Sequence, residues 1–420
     1  MTAVDLSRTS RDHLALLCRL SQTFNSSLDL DEVLNLVIDE VIAATGAERG
    51  FLMLRDEQGE LVFRAARGMD QRTIEAPGFE ISRGVVERVA REGQPQLTSD
   101  AQSDAWLSAR DSVMLLGLRS VLCVPLRLRQ ATLGAIYVDS RLQAGIFRDE
   151  DLDLLSAIAS FAAIAIDNAR LYQVAVEKGR MERELQVARE VQSSLIPRET
   201  PNLAGWDFAA RWEPALEVGG DFYDFVPTER GLGLVIADVS DKGMPAALFM
   251  ALSRSILRAS LTSALSPAEG MRQANRLIHA DSPDSMFVTV FYALLDPATG
   301  ELAYVNAGHN PPVLWCAQQE NLIELSRSGM AMGLFGGVDF EQRVVHMQPG
   351  DLILLYTDGV SEAMDAEQRE FGMERVRRVL LDHRHATAQD VAAALERGLH
   401  SFTTAAAPSD DITFVVVRHK

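Results

Sequence analysis

Residues 233–250 read GLVIADVSDKGMPAALFM, an apolar strand pattern that ends in Asp238 and is followed by a turn and a helix. Gly243 permits the sharp turn, and Pro245 suits the first turn of a helix, where its missing N–H leaves no hydrogen bond unmade. The pattern predicts a strand–turn–helix unit that delivers the Asp238 carboxylate at its corner.

Three other segments place aspartates in a similar way. Residues 217–224, EVGGDFYD, set Asp221 directly after two glycines, which let a loop bring a carboxylate into a crowded site. Residues 352–359, LILLYTDG, predict a buried strand with Asp358 at its end, and residues 409–417, SDDITFVVV, place Asp410 just before a strand. A single aspartate at a strand end is usually a turn or cap residue. Four of them from separate segments, each with Gly or Asp nearby in the sequence, indicate a shared site.

Carboxylate clusters of this kind predict magnesium or manganese rather than zinc, which prefers His or Cys ligands. Two such ions about 4 Å apart can hold a bridging water, lower its pKa and clamp a phosphoryl group for in-line attack. The aspartates therefore favour a two-metal phosphohydrolase.

Five segments carry a family resemblance, in this order along the chain: VGGDFYD, ADVSDKGMPAAL, MFVTVFYALLDPATGELAYVNAGHNPP, LLYTDGVSEA and SDDIT. They resemble the metal-dependent protein phosphatases of the PPM class, and specifically the bacterial SpoIIE-like branch that governs sporulation and general-stress sigma factors. The resemblance covers about residues 190–420. It implies an α/β/β/α sandwich with two Mn²⁺ or Mg²⁺ ions in a cleft between the sheets.

The resemblance also implies the site residues. The catalytic and metal-ligating side chains would be Asp221, Asp238, Asp358 and Asp410, and the backbone carbonyl of Val239 would be a further ligand. Three nearby carboxylates could hold metal-bound waters: Asp224, Asp411 and Glu362.

Two positions depart from the family pattern. Many relatives have glycine where this chain has Asp241, which adds a carboxylate of unknown effect. Eukaryotic members place a histidine suited to protonate the leaving group where this chain has Ser240, so no general acid is evident. His309, in the turn NAGHNPP, is interpreted as an architectural residue that bonds loop carbonyls; a substrate or catalytic role is the alternative.

The N-terminal part resembles a GAF domain, through RSVLCVPLRLRQATLGAIYVDS (119–140) and FRDEDLDLLSAIASFAAIAIDNARLY (147–172). The resemblance implies an antiparallel sheet flanked by helices, with a pocket for a small molecule. The ligand is unknown: no histidine lies between His13 and His279 to hold a haem, and no cysteine precedes a histidine as bilin attachment often needs. Cys123 is interpreted as a small buried apolar residue and not as a redox switch.

Residues 164–197 predict a coiled-coil connector. One heptad position holds Ile164, Leu171 and Leu185, and another holds Val174, Met181, Ala188 and Leu195; the seam also contains Asp167, Lys178 and Gln192. A helix over 164–195 would be about 48 Å long, which favours pairing with a second copy over packing on one domain. Its end, AREVQSSLIP, resembles a family switch helix whose docking orders the metal site. A homodimer gated through this rod is therefore expected.

The whole chain is predicted to be α+β, with an N-terminal helix (1–24), a GAF domain (25–163), the connector (164–197) and the phosphatase domain (198–420). Its 420 residues carry a net charge of −19, which disfavours nucleic acid and anionic membranes as partners. Three cysteines, an odd number without metal-ligand spacing, suit a reducing compartment. The start lacks a signal-peptide pattern. The protein is expected to be soluble and cytoplasmic.

The leading functional hypothesis is a serine/threonine protein phosphatase under GAF control. By resemblance, its substrate would be a phosphorylated anti-sigma-factor antagonist. A non-enzymatic signalling adaptor with a decayed catalytic domain is one alternative, which retention of all four aspartates opposes. A small-molecule phosphohydrolase is another; the absence of a GxxxxGK[ST] loop excludes only one class of nucleotide hydrolase.

Overall fold

The computed structural model describes residues 15, 18–24, 26–70, 72–74, 81–101, 117–283, 286–403 and 410–420. The chain divides into two compact units, residues 1–181 and residues 182–420. Most of the helix predicted over residues 1–24 lies outside the described residues, although 18–24 are largely helical.

The N-terminal unit is built on one five-stranded antiparallel sheet with the order β2-β1-β5-β4-β3. Its elements are α1 (Leu30–Thr45), β1 (Arg49–Arg55), β2 (Leu61–Gly68), α2 (Arg83–Glu92), β3 (Gln96–Thr98), β4 (Ser120–Leu128), β5 (Ala131–Ser140) and the start of α3 (Asp149–Leu195).

Both faces of this sheet are covered, because apolar residues alternate along β4 and β5. One face packs against α1 and the first turns of α3 through residues such as Val37, Ile136 and Ile158. The other face packs against α2 through Phe51, Tyr137 and Val86 among others. The GAF-type architecture predicted from the sequence is confirmed. Cys123 lies fully buried in β4, where burial raises the pKa of its thiol, so it acts as an apolar residue.

Helix α3 runs unbroken for 47 residues and begins with three acidic residues, which suit the positive end of the helix dipole. Its first turns are buried, whereas its apolar residues beyond the GAF core are exposed, including Leu171 at 60%, Val174 at 56% and Met181 at 65%. By length and composition alone, α3 could cross a membrane, and half of its apolar window is buried. A buried core helix passes the same test, so α3 is weak evidence for a membrane span.

The C-terminal unit contains two five-stranded sheets, β13-β10-β9-β8-β7 and β12-β11-β14-β15-β6. Its elements are β6 (Trp206–Glu213), β7 (Phe222–Thr228), β8 (Gly231–Val239), α4 (Met244–Ser263), α5 (Pro267–Asp281), β9 (Val288–Leu295), β10 (Glu301–Ala307), β11 (Val313–Cys316), β12 (Asn321–Glu324), β13 (Arg343–His346), β14 (Leu352–Tyr356), α6 (Asp358–Ser361), α7 (Gly372–Asp382), α8 (Ala388–Thr403) and β15 (Ile412–His419).

The layers of this unit follow from its apolar clusters. The largest core joins the two sheets to each other and to α4 and α5, with Phe291, Ile353 and Met250 among its members. A second core packs α7 and α8 on the outer face of the second sheet, around Phe414 and Leu395. The predicted α/β/β/α sandwich is therefore confirmed.

One local prediction needs correction. Asp358 was expected at the end of a strand, but β14 ends at Tyr356 and Asp358 is the first residue of the one-turn helix α6. Thr357 makes the last backbone hydrogen bond to the neighbouring strand segment, donating its N–H to the carbonyl of Thr413, and the chain leaves the sheet after it.

Candidate metal centre

Asp221 and Asp238 form the centre of the site. Asp238 is the second-last residue of β8, and Asp221 precedes β7, the neighbouring strand. Their carboxylates lie within hydrogen-bonding reach of each other. The Thr357 hydroxyl donates to Oδ2 of Asp221 over 2.5 Å, so the second sheet orients this carboxylate. Two carboxylates from the first sheet are thus held at the junction of both sheets.

Asp358 and Asp410 approach the same place from the second sheet. A side chain added at Gly359 would overlap the carbonyl oxygen of Asp411, which shows how closely α6 lies against the segment before β15. Charge on Asp358 and Asp410 acts on Asp238, and charge on Asp410 acts on Asp358. All four sequence-predicted aspartates therefore meet in one cluster.

The carbonyl of Val239 belongs to the same cluster. An added Cβ at Gly220 would lie 3.1 Å from this oxygen, so the glycine brings the Asp221 loop close to the end of β8. The predicted backbone ligand is consequently placed beside the carboxylates.

Two side chains fasten the loop that carries Asp221. Asp411 accepts the N–H of Ala215 at Oδ1 and the N–H of Gly220 at Oδ2, each over 2.7 Å. Gln192, near the end of α3 and 4% exposed, donates to the carbonyl of Gly219 over 2.6 Å and accepts its N–H over 3.1 Å. The position of Asp221 thus depends on both contacts.

Burial and mutual repulsion raise the pKa values of the clustered carboxyl groups. Burial, followed by the charge of Asp358, raises the pKa of Asp238 to about 7. Burial and the charge of Asp238 raise the pKa of Asp221 well above its usual range, and burial with Asp410 raises that of Asp358. Ionised carboxylates in such a place need compensating positive charge.

The donor set fits hard divalent cations, since its members are carboxylate and carbonyl oxygens. Among the described residues, however, no three His, Cys, Asp or Glu side chains already stand in a ligating arrangement. In the structure, the Asp221 carboxylate accepts a hydrogen bond from Thr357, Asp410 accepts one from Lys242, and Asp411 accepts hydrogen bonds from backbone N–H groups.

Three further acidic residues near the site have different surroundings: Asp224, Glu362 and Asp241. Asp224, 2% exposed, pairs with Arg254 at 3.0 Å and with Arg258 at 2.7 Å, so it is a structural anion outside the cluster. Glu362 is exposed, and burial and the charge of Asp358 raise its pKa. Asp241 is exposed and has a φ of 70°, a conformation that Gly and Asp tolerate best. This explains why glycine and aspartate can both occupy its position.

His309 is architectural, as predicted. Its ring is 1% exposed, accepts the Thr289 hydroxyl at Nδ1 over 2.8 Å and donates from Nε2 to the carbonyl of Tyr356 over 3.1 Å. Burial lowers its pKa to about 3, so the imidazole is neutral. Through these two hydrogen bonds it ties β9 to the end of β14.

Sequence reasoning missed three residues that complete the site: Gln192, Thr357 and Lys242. Thr357 and Lys242 stand next to or near predicted ligands, which is a usable signal. Gln192 lies in the AREVQSSLIP segment, whose predicted role is to dock and order the metal site, but the sequence does not indicate that its own partner is Gly219, 27 residues away.

Comparisons with known proteins agree with this architecture. Residues 228–420 match the family model of stage II sporulation protein E (SpoIIE), and residues 27–167 match the GAF domain model. The first range includes Asp238, Asp358 and Asp410 and begins after Asp221. The SiaA-PP2C domain of Pseudomonas aeruginosa has a TM-score of 0.53 at 23% identity, covering 59% of this chain and 100% of that one. That likeness supports the fold.

Two curated relatives are each similar over a little more than half of the chain. Phosphoserine phosphatase RsbU of Bacillus subtilis (strain 168) is 28% identical over 237 residues, which are 56% of this chain and 70% of RsbU. Phosphoserine phosphatase RsbP of the same organism is 27% identical over 240 residues, 56% of this chain and 57% of RsbP. Residues 27–167 thus match a GAF domain and residues 228–420 a SpoIIE-type domain, and about half of the chain is similar to two phosphoserine phosphatases.

Proposed function

We propose that the protein hydrolyses phosphoserine or phosphothreonine on a regulatory protein of the anti-sigma-factor antagonist type, using two Mn²⁺ or Mg²⁺ ions. The observation that carries the proposal is the grouping of four buried or partly buried aspartates at the junction of the two sheets: Asp221, Asp238, Asp358 and Asp410. The names of RsbU and RsbP, both phosphoserine phosphatases, support this type of phosphoester.

The four aspartates and the Val239 carbonyl would hold the ions. When bound, such ions supply the positive charge that activates water and stabilises a transferring phosphoryl group. The protein's own part is preorganisation: Thr357 orients Asp221, while Asp411 and Gln192 hold its loop. Ser240 accepts the N–H of Phe287 at its hydroxyl oxygen and lies in the position of the eukaryotic histidine. The leaving-group proton would come from solvent.

The substrate class can be tested directly. With Mn²⁺ present, the full chain is expected to release phosphate from a phosphoserine protein, to stop when EDTA is added, and to act far more slowly on a panel of nucleotides. Comparable rates on nucleotides would favour the small-molecule phosphohydrolase. A calorimetric titration without Mn²⁺ binding would favour the non-enzymatic adaptor.

Control of the enzyme is proposed to run through α3. Its exposed residues Leu171, Val174 and Met181 are in heptad positions that suit a parallel second copy, so a homodimer is part of the proposal. The other end of the same helix contributes Gln192, which holds the loop next to Asp221. A rotation of α3 would therefore act on the metal centre, and the GAF domain, with its unidentified ligand, would set that rotation.

Insertions into α3 test this control. Two extra residues between Met181 and Glu182 would turn one end of the helix relative to the other by about 200°, whereas seven would return it to within about 20°. We expect the two-residue insertion to change the phosphatase rate several-fold and the seven-residue insertion, as the matched control, to leave it near wild type. An unchanged rate in the two-residue variant would count against gating.

A further inference from the structure

Lys242 lies on the turn between β8 and α4, at the edge of the aspartate cluster. The turn is fixed to β9, because Ser240 donates its N–H to the carbonyl of Phe287 over 2.9 Å and accepts the N–H of the same residue over 3.0 Å. Lys242 stands between two residues with left-handed backbone, Asp241 at φ 70° and Gly243 at φ 75°. This backbone sets the direction from which the lysine approaches the cluster.

The ammonium group of Lys242 forms an ion pair with Asp410, which is a proposed metal ligand. Its Nζ lies 2.8 Å from Oδ2 of Asp410, while Oδ1 of Asp410 accepts the N–H of Asp411 over 2.9 Å. Both carboxylate oxygens are therefore engaged. An ion that binds Oδ2 would bring a second positive charge next to the ammonium group, so the ion and the lysine compete for this oxygen.

The surroundings allow Lys242 to leave. Its side chain is 52% exposed and has four rotatable carbon–carbon bonds, so a different rotamer costs little. A divalent ion at Asp410 would repel the ammonium group, and the phosphoryl group of a substrate would be an anion close to its path. An ammonium group offers three donors to such oxygens.

We propose that Lys242 is a mobile internal cation with two successive positions. It neutralises Asp410 while the adjacent ion site is empty, and after an ion binds there it contacts the phosphoryl oxygens of the substrate. The inference rests on the proposed function, because it assigns Lys242 as a substrate-binding residue of the same site. No bond is formed or broken in this change, which is a movement of one charge.

The test compares Lys242→Met with wild type in two measurements. Calorimetric titration with Mn²⁺ alone should show about tenfold tighter binding in the variant, because a competing positive charge is gone. Inhibition of phosphate release by inorganic phosphate should weaken about tenfold, because a charge-assisted contact is lost. The two effects have opposite directions, whereas general damage to the site would weaken both.

Two controls accompany the test. Lys242→Arg keeps the charge and should bind Mn²⁺ with nearly wild-type affinity. Lys420→Met removes another exposed lysine that faces an aspartate, Asp207 at 4.0 Å, and should change neither measurement. Lys242→Arg and Lys420→Met should each unfold thermally as wild type does without metal, because the first keeps the charge and exposed ion pairs such as the second add little to stability.

The outcomes separate this inference from the proposed function. Wild-type protein that binds Mn²⁺, together with a Lys242→Met variant that binds it equally or less tightly, would overturn the inference alone. Unchanged inhibition by phosphate would overturn its second step. Wild-type protein without Mn²⁺ binding would overturn the proposed function and this inference with it.

Discussion

Asp238→Asn is expected to reduce Mn²⁺-dependent phosphate release about a thousandfold or more, because it removes the carboxylate at the centre of the cluster. Asp238 lies beside Asp221, and the negative charges of Asp358 and Asp410 contribute to its raised pKa. An amide of the same size keeps the packing but ligates a divalent cation weakly. Release of phosphate over time, with Mn²⁺ in excess, measures the loss.

The same substitution should stabilise the metal-free protein at neutral pH. The pKa of Asp238 is about 7 in the folded chain against an ordinary 3.8, so the folded state holds a proton that the unfolded state has released. Stability therefore falls as pH rises between these two values, by about 2–4 kcal/mol for one such group. Asp238→Asn removes this dependence, and saturating Mn²⁺ should offset it in wild type.

Thermal unfolding across this pH range, with and without Mn²⁺, measures the linkage. Asp382→Asn, at the exposed end of α7, is the matched control and should behave as wild type. Wild-type phosphatase activity in Asp238→Asn would contradict the central role of this aspartate. A pH profile of stability identical in the two proteins would contradict its raised pKa.

Gly359→Ala should produce the second large effect, a loss of activity of about a hundredfold with a destabilisation of about 1–3 kcal/mol. The added methyl would overlap the carbonyl oxygen of Asp411 and lie 3.3 Å from Cβ of Asp410. To make room, α6 must move away from the start of β15. This movement separates Asp358 from Asp410, which the site needs together.

Gly337→Ala provides the matched control, because a Cβ there meets nothing within 4 Å. It should leave phosphate release and the unfolding free energy within the scatter of wild type, as measured by the same assay and by denaturant unfolding. Full activity in Gly359→Ala would show that the approach of α6 to β15 is not required for the metal centre.

Much of the site could be predicted from the sequence, because each metal-ligand candidate has a local signature. Asp221 follows two glycines, Asp238 ends an apolar strand, and Asp410 precedes one. The resemblance to the PPM phosphatases then implies the sandwich, and the apolar repeat predicts the long helix. Such local features can be predicted because they depend on the backbone conformation and burial of a single segment.

Roles that depend on partners distant in the chain could not be predicted. Asp224 and Asp221 are three residues apart, yet one is neutralised by two arginines of α4 and the other joins the cluster. Asp411 was grouped with possible holders of metal-bound water, but its oxygens fasten the loop before β7. Strand direction and register decide such cases, since they determine which face of a sheet each side chain reaches.

Short runs of residue types, and the family resemblance that they carry, are enough to predict the two domain types, the long helix and the four aspartates. The contacts of Gln192 with the Asp221 loop, of Thr357 with Asp221 and of Lys242 with Asp410 arise only in the folded chain. These contacts join segments up to 168 residues apart, and their formation depends on packing between both sheets and α3.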